Sequence, residues 1–187
     1  MNPMNTLAAG ALALATTLGM TGCATHRSDA ASDTARVAIA RLEPTRGHAV
    51  RGTVTFQEET QGVRVTANIT GLTQGPHGFH VHQNGDCSAP DAMSAGDHFN
   101  PTGAPHGGPR DARRHIGDMG NVVADDQGVV RMQYVDQHLT LDGPNSIIGR
   151  AVIVHAGGDD LMSQPSGDAG ARVACGVIEW QSNPGAP

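Results

Sequence analysis

At 187 residues the chain suits one domain with a full core and is short for two. Lysine is absent, so all 12 basic residues are arginines, and 18 acids bring the net charge to -6, which with no basic run argues against a general nucleic-acid binder. The 25 glycines and 11 prolines beside 3% aromatics favour an all-β or loop-rich fold over a helical bundle.

The N-terminus, "MNPMNTLAAGALALATTLGMTGCATHRSD", carries an apolar run from about Leu7 to Met20. That length suits a secretory signal and falls short of a membrane span. The run stops at Met20-Thr-Gly-Cys23, which resembles the lipobox of bacterial lipoproteins, where the cysteine is lipidated and becomes the first mature residue. It departs from that pattern in two places: Met stands where Leu is usual, and the segment before the run has no Lys or Arg. The expected organisation is an export signal over 1–22, a polar tether over 23–35 and a folded domain over 36–182. The expected location is the periplasm or cell envelope, with lipidated Cys23 as a membrane anchor. Three cysteines in an exported protein leave one unpaired. Lipidation of Cys23 removes that oddity and leaves Cys87 and Cys175 as a disulfide, which in the chain-entropy account is worth roughly 4 kcal/mol for so long a loop.

Short alternating or β-branched runs then recur between turn signals. They are Ala35 to Leu42, Ala49 to Glu58, Gly62 to Thr70, His77 to Gln83, Asn121 to Asp125, Gly128 to Val135, Ile147 to His155 and Arg172 to Trp180. Eight such runs without a helical period predict an all-β fold, an eight-stranded antiparallel Greek-key barrel or sandwich. Two stretches lack any strand pattern, residues 83 to 120 and Ala156 to Ala171. Loops of that length in a compact domain are usually functional or disordered.

Most of the unusual chemistry lies in or beside those loops. In "HGFHVHQNGDC" (His77 to Cys87), His80 and His82 are two apart, so a strand turns both to one face, their Cα atoms roughly 6 to 7 Å apart. Phe79 and Val81 would face the core. Alone, a His-X-His pair is weak evidence, because surface strands carry such pairs by chance. The first long loop adds "DHFNPTGAPHGGPRDARRHIGDMGN", with His98, His106, His115 and Asp118, and the apolar run "GRAVIVH" ends in His155. Imidazole-rich sets suit copper, zinc, nickel or iron, and four imidazoles without thiolate suit tetragonal Cu(II). Three imidazoles and a carboxylate form a closed zinc site of structural type. Seven side chains for eight coordination positions require one shared ligand.

As a set, "GFHVHQNGDC", "GDHFNP", "HGGPRDARRHIGDMGNV", "IIGRAVIVHAGGDDL" and "GDAGARVACGVI" resemble the signature segments of copper/zinc superoxide dismutases, in order, from about Ala35 to Trp180. The resemblance implies one copper per chain on His80, His82, His98 and His155, and one zinc per chain on His98, His106, His115 and Asp118, with His98 bridging. It implies that Asp159 links His80 to His106, that Cys87 pairs with Cys175, and that His77 is structural. The implied substrate is superoxide, dismuted to oxygen and hydrogen peroxide at copper. His98 would leave Cu(I), take up a proton and pass it to the nascent peroxide. Arg172 resembles the anion-guiding arginine. Residues 156 to 171 contain no basic residue, so further steering charge is expected from Arg110, Arg113 or Arg114. The remaining histidines, His26, His48 and His138, match no ligand and read as solvated. Both monomer and homodimer remain open.

Other classes fit less well. Metallo-hydrolases often carry His-X-His-X-Asp-His, whereas here Gln83, Asn84 and Gly85 follow His82. A cupin lacks its Glu ligand, and a copper-delivery protein lacks a Cys-X-X-Cys module. A non-catalytic metal buffer keeps ligands and has no need of Arg172, which favours an enzyme.

Overall fold

The computed structural model describes residues 36–182, so the apolar N-terminal run, Cys23 and the tether lie outside the described residues. Eight strands follow one another: β1 (Val37–Pro44), β2 (Arg51–Glu59), β3 (Gly62–Thr70), β4 (Gly75–His82), β5 (Asp118–Ala124), β6 (Val130–Asp136), β7 (Ala151–His155) and β8 (Arg172–Trp180). The only helical element among the described residues is a 3-10 turn, Met93–Ala95. All neighbouring strands pair antiparallel, in the order β5-β4-β7-β8-β1-β2-β3-β6. With β5 and β6 in contact at the two edges, the sheet curls into a nearly closed barrel. Chain-distant neighbours such as β4 beside β7, reached by long crossing connections, give it Greek-key character.

Period-2 patterning builds the barrel interior. In β1, Ala38, Ala40 and Leu42 point inward against Val54 and Phe56 of β2 and Val65, Ala67 and Ile69 of β3, all at most 2% exposed. The alternation fails in β4 and β7, where Gly75–His82 ends in six consecutive buried residues and Ala151–His155 is buried throughout. Both faces are covered there, for different reasons. Phe79, Val81, Val152 and Val154 join the barrel core, each burial worth about 1.5–3 kcal/mol. The opposite face presents His80, His82, Ala151, Ile153 and His155, and the loops fold over it. Ile153, Ala151 and Cys175 pack there against Ala92 and Ala95 of the long loop.

The Cys87–Cys175 disulfide ties that loop to β8 across 88 residues of chain. Two register shifts sit at the same end of the sheet. In β5 one extra residue opposite Gly78 to His80 sets Asp118 across from His80; in β8 an extra residue sets Arg172 across from His155. Such bulges re-aim side chains beside functional sites. The strand ending in His155 starts at Ala151, four residues later than expected. Gly149, at φ 76, turns the chain there, and the Arg150 N–H closes that turn on the Ile147 carbonyl (3.2 Å).

Candidate metal centre

Four histidines converge on the covered face of β4 and β7. His80 and His82 come from β4, His155 from the end of β7, and His98 from the long loop, bridged antiparallel to His82. All are buried, and one ligand atom from each lies within 4.8 Å of the others. Each has one ring nitrogen already engaged, that of His98 being Nδ1 against Asp118 Oδ1 (2.8 Å). His82 Nδ1 donates to the Gly96 carbonyl (2.8 Å), His155 Nδ1 to the Gly170 carbonyl (3.1 Å), and His80 Nε2 to Asp159 Oδ2 (2.8 Å). Donation from one nitrogen fixes the tautomer and leaves a lone pair on the other. Those other atoms, His80 Nδ1, His82 Nε2 and His155 Nε2, together with His98 Nε2, are buried without a hydrogen-bond partner. Orphaned buried acceptors are costly and call for an explanation; a bound cation supplies one.

The second group is built around a single oxygen. Asp118 Oδ1 lies 2.8 Å from His98 Nδ1, 3.0 Å from His106 Nδ1 and 3.1 Å from His115 Nδ1. Donors held 2.0–2.1 Å from one zinc ion in a tetrahedron would stand about 3.4 Å apart, so the observed edges need only a small expansion. His106 Nδ1 and His115 Nδ1 also lack hydrogen-bond partners. The other carboxylate oxygen is fixed: Oδ2 accepts from the backbone N–H groups of Gly107 (3.1 Å) and His115 (2.9 Å). His98 is common to both groups.

Asp159 lies between the groups. Oδ2 receives His80 Nε2 at 2.8 Å and Oδ1 receives His106 Nε2 at 3.0 Å. Its backbone is held in turn by Asn121, which accepts from the Asp159 N–H (2.7 Å) and donates to the Asp159 carbonyl (2.9 Å). Gln164 clamps the His106 backbone in the same two-point way, at 2.8 and 2.9 Å. Neither amide was visible as a site residue in the sequence, because Asn and Gln are ordinary loop residues. Gly167 is a further hidden requirement. It adopts φ 70, and a Cβ there would overlap Asp159 Oδ1 and come 2.7 Å from His106 Nε2. Gly167→Ala is therefore expected to part Asp159 from His106 and weaken zinc binding about 10- to 100-fold, the usual cost of losing an outer partner. A competitive chelator titration of the variant checks it.

Burial lowers the pKa of His80 to about 4 against the opposing pull of Asp159, that of His155 to about 3 with His80 adding to the effect, and that of His82 well below its ordinary value. All three are neutral at physiological pH, as ligation requires. For Asp118 and Asp159 burial acts upward, yet the surrounding histidine contacts hold both far below the usual carboxylate range. His106 is the exception: burial alone would depress it, but Asp118 and Asp159 raise it to about 9. A folded-state value above the unfolded one adds stability that is complete below about pH 6.5 and disappears as pH rises through about 9. Metal-stripped protein is thus expected to melt at a lower temperature at pH 9.5 than at pH 6.5. The zinc-loaded form should show little of that loss, since the cation replaces the proton. Thermal unfolding of both forms tests this.

The groups open onto a cleft of about 1100 Å³ lined by His82, His98, His155 and Arg172. Arg172 is oriented by two carbonyls of the disulfide-pinned loop, Ala92 O from Nη1 and Gly96 O from Nη2, each at 2.7 Å. His77 fastens the neighbouring backbone, its ring nitrogens 2.9 Å from the carbonyls of His155 and Thr73. The expectation that Arg114 adds steering charge is wrong. Its guanidinium is buried: Nη2 donates to both carboxylate oxygens of Asp136 (2.7 Å each) and Nη1 to the carbonyls of His115, Ile116 and Asp118. It builds the loop that holds His115 and Asp118. Arg110 and Arg113 are exposed and do not line the cleft.

Comparison with known proteins agrees with this picture. The family model for copper/zinc superoxide dismutase matches residues 50–178. The chain is 46% identical over 150 residues to an extracellular superoxide dismutase [Cu-Zn] of Brugia pahangi, covering 75% of this chain and 74% of that one. Among solved structures, one titled as a crystal structure analysis of the clock protein EA4 superposes with a TM-score of 0.72 at 46% identity, over 79% of this chain and 96% of the other. The chain belongs to the copper/zinc superoxide dismutase family.

Proposed function

We propose that this enzyme dismutes superoxide outside the cytoplasm, with copper held by His80, His82, His98 and His155, zinc by His98, His106, His115 and Asp118, and the His98 imidazolate bridging them. One observation carries the reading: six buried imidazole nitrogens without hydrogen-bond partners fall into two groups that share His98, beside a cleft lined by Arg172. Copper supplies the one-electron couple that both oxidises and reduces the same anion, which zinc lacks. Two of the five guanidinium N–H groups of Arg172 are engaged by Ala92 and Gly96; the remaining ones can donate to a small anion without reorganisation. His98 is the proton carrier in this scheme. Nδ1 stays beside Asp118 while Nε2 takes up a proton and hands it to the reduced anion. His82 and His155, locked by backbone carbonyls, keep their orientation throughout.

Residues 1–22 act in this proposal as an export signal and Cys23 as a lipid anchor, with 23–35 as tether. A disulfide and an extracellular relative at 46% identity support export, because structural disulfides persist in oxidising compartments. Metal analysis joined to a superoxide-consumption assay tests the catalytic reading. One copper and one zinc per chain with fast dismutation is expected; full metallation without activity would replace the enzyme by a metal buffer. The mass of the mature N-terminus tests lipidation.

A further inference from the structure

The cleft has a wall that belongs to neither long loop. The turn between β1 and β2 folds back onto the start of β8. Thr45 Oγ1 donates to the Arg172 carbonyl (2.7 Å) and the Thr45 N–H to the Val173 carbonyl (3.1 Å), while the Arg46 N–H reaches the Pro90 carbonyl (2.7 Å). These bonds fasten the turn to the strand that carries Arg172 and to the loop whose carbonyls orient it. Arg46 consequently lines the same cleft as Arg172.

Its side chain is exposed, and no ion pair or side-chain hydrogen bond engages the guanidinium among the described residues. The other charges on the wall differ in kind. Arg150 is fixed by the carbonyls of Ser146 (2.9 Å) and Gln83 (2.7 Å) and lies over the Phe99 ring at 3.4 Å. Asp91 and Asp97 also line the cleft and oppose an incoming anion. With a net charge of -6 and no basic residue between Ala156 and Ala171, an anion needs a cation at the rim to offset those two carboxylates.

We propose that Arg46 is that cation, a guiding residue that draws small anions into the cleft ahead of Arg172. The identity of the anion rests on the superoxide reading. An unengaged guanidinium between low-dielectric walls raises the local anion concentration without touching the reacting atoms.

The test compares Arg46→Gln and Arg46→Glu with the unaltered metal-loaded protein. It measures kcat/KM for superoxide at low and high ionic strength and titrates azide, a monoanion of the same charge. At low ionic strength a fall of about threefold for Gln and about tenfold for Glu is expected, with azide affinity weakening in the same order. Both differences should shrink as salt screens the field, with metal content unchanged. An Arg46→Glu variant with unaltered rate and azide affinity at low salt would overturn the proposal, as would a loss of metal from it. If the unaltered loaded protein consumed no superoxide, the dismutation reading would fall, while the azide titration would still decide the role of Arg46.

Discussion

His80→Ala is expected to abolish stoichiometric copper binding and reduce superoxide consumption to background. The variant removes more than one donor atom. His80 Nδ1 is one of the four inward-facing nitrogens of the first group, and Nε2 donates to Asp159 at 2.8 Å. Without the ring, Asp159 Oδ2 stays in a buried site with no partner, a cost of about 1–3 kcal/mol or more for a charged group. The partner of Asp159 on the other side is His106, so zinc affinity should fall as well, by about tenfold. Arg172→Ala supplies the contrast. It touches no orphaned nitrogen, so both metals should remain while turnover falls by about 10- to 100-fold through lost attraction and orientation of the anion. Metal content after desalting, measured beside activity, separates the two. Retention of copper by His80→Ala, or its loss from Arg172→Ala, would contradict this division of roles.

The features legible in the sequence share one property: local spacing dictates them. His80 and His82 alternate with Phe79 and Val81, and the strand period sends one pair to the covered face and the other into the core. His155 ends an apolar run, and β7 delivers it to the same face. The family resemblance then tied the loop histidines to them, since nothing in the spacing of His98, His106 and His115 fixes where an irregular backbone leads. What stayed hidden depends on contacts between distant segments. Arg114 stands among three arginines and looks like solvated charge, until Asp136, at the end of β6, is placed against it. Asn121 and Gln164 act through backbone clamps 38 and 58 residues away in sequence, which no local pattern reveals. Arg46 belongs to the same class, because only the docking of its turn onto β8 brings it to the cleft.

The second large effect is expected from Asp118→Asn, nearly isosteric and for that reason informative. Asp118 Oδ1 faces the Nδ1 atoms of three histidines, while Oδ2 accepts two backbone N–H bonds. An amide cannot serve both sides. With its oxygen toward His98, His106 and His115, its NH2 confronts the N–H groups of Gly107 and His115, donor against donor. In the flipped orientation the NH2 faces the cation site and the oxygen satisfies the backbone. The second arrangement avoids the buried donor clash and should prevail, leaving the zinc group without its only carboxylate and with one charge less to balance the cation. Zinc affinity should then drop by more than about a hundredfold, beyond the usual cost of losing an outer hydrogen bond. Copper should still bind, because His80, His82 and His155 keep the partners that fix their tautomers. Chelator competition for zinc, with the copper spectrum recorded in parallel, reads both outcomes. An Asp118→Asn variant that holds zinc as tightly as the unaltered chain would show that the carboxylate charge is dispensable and that the three imidazoles alone define the site.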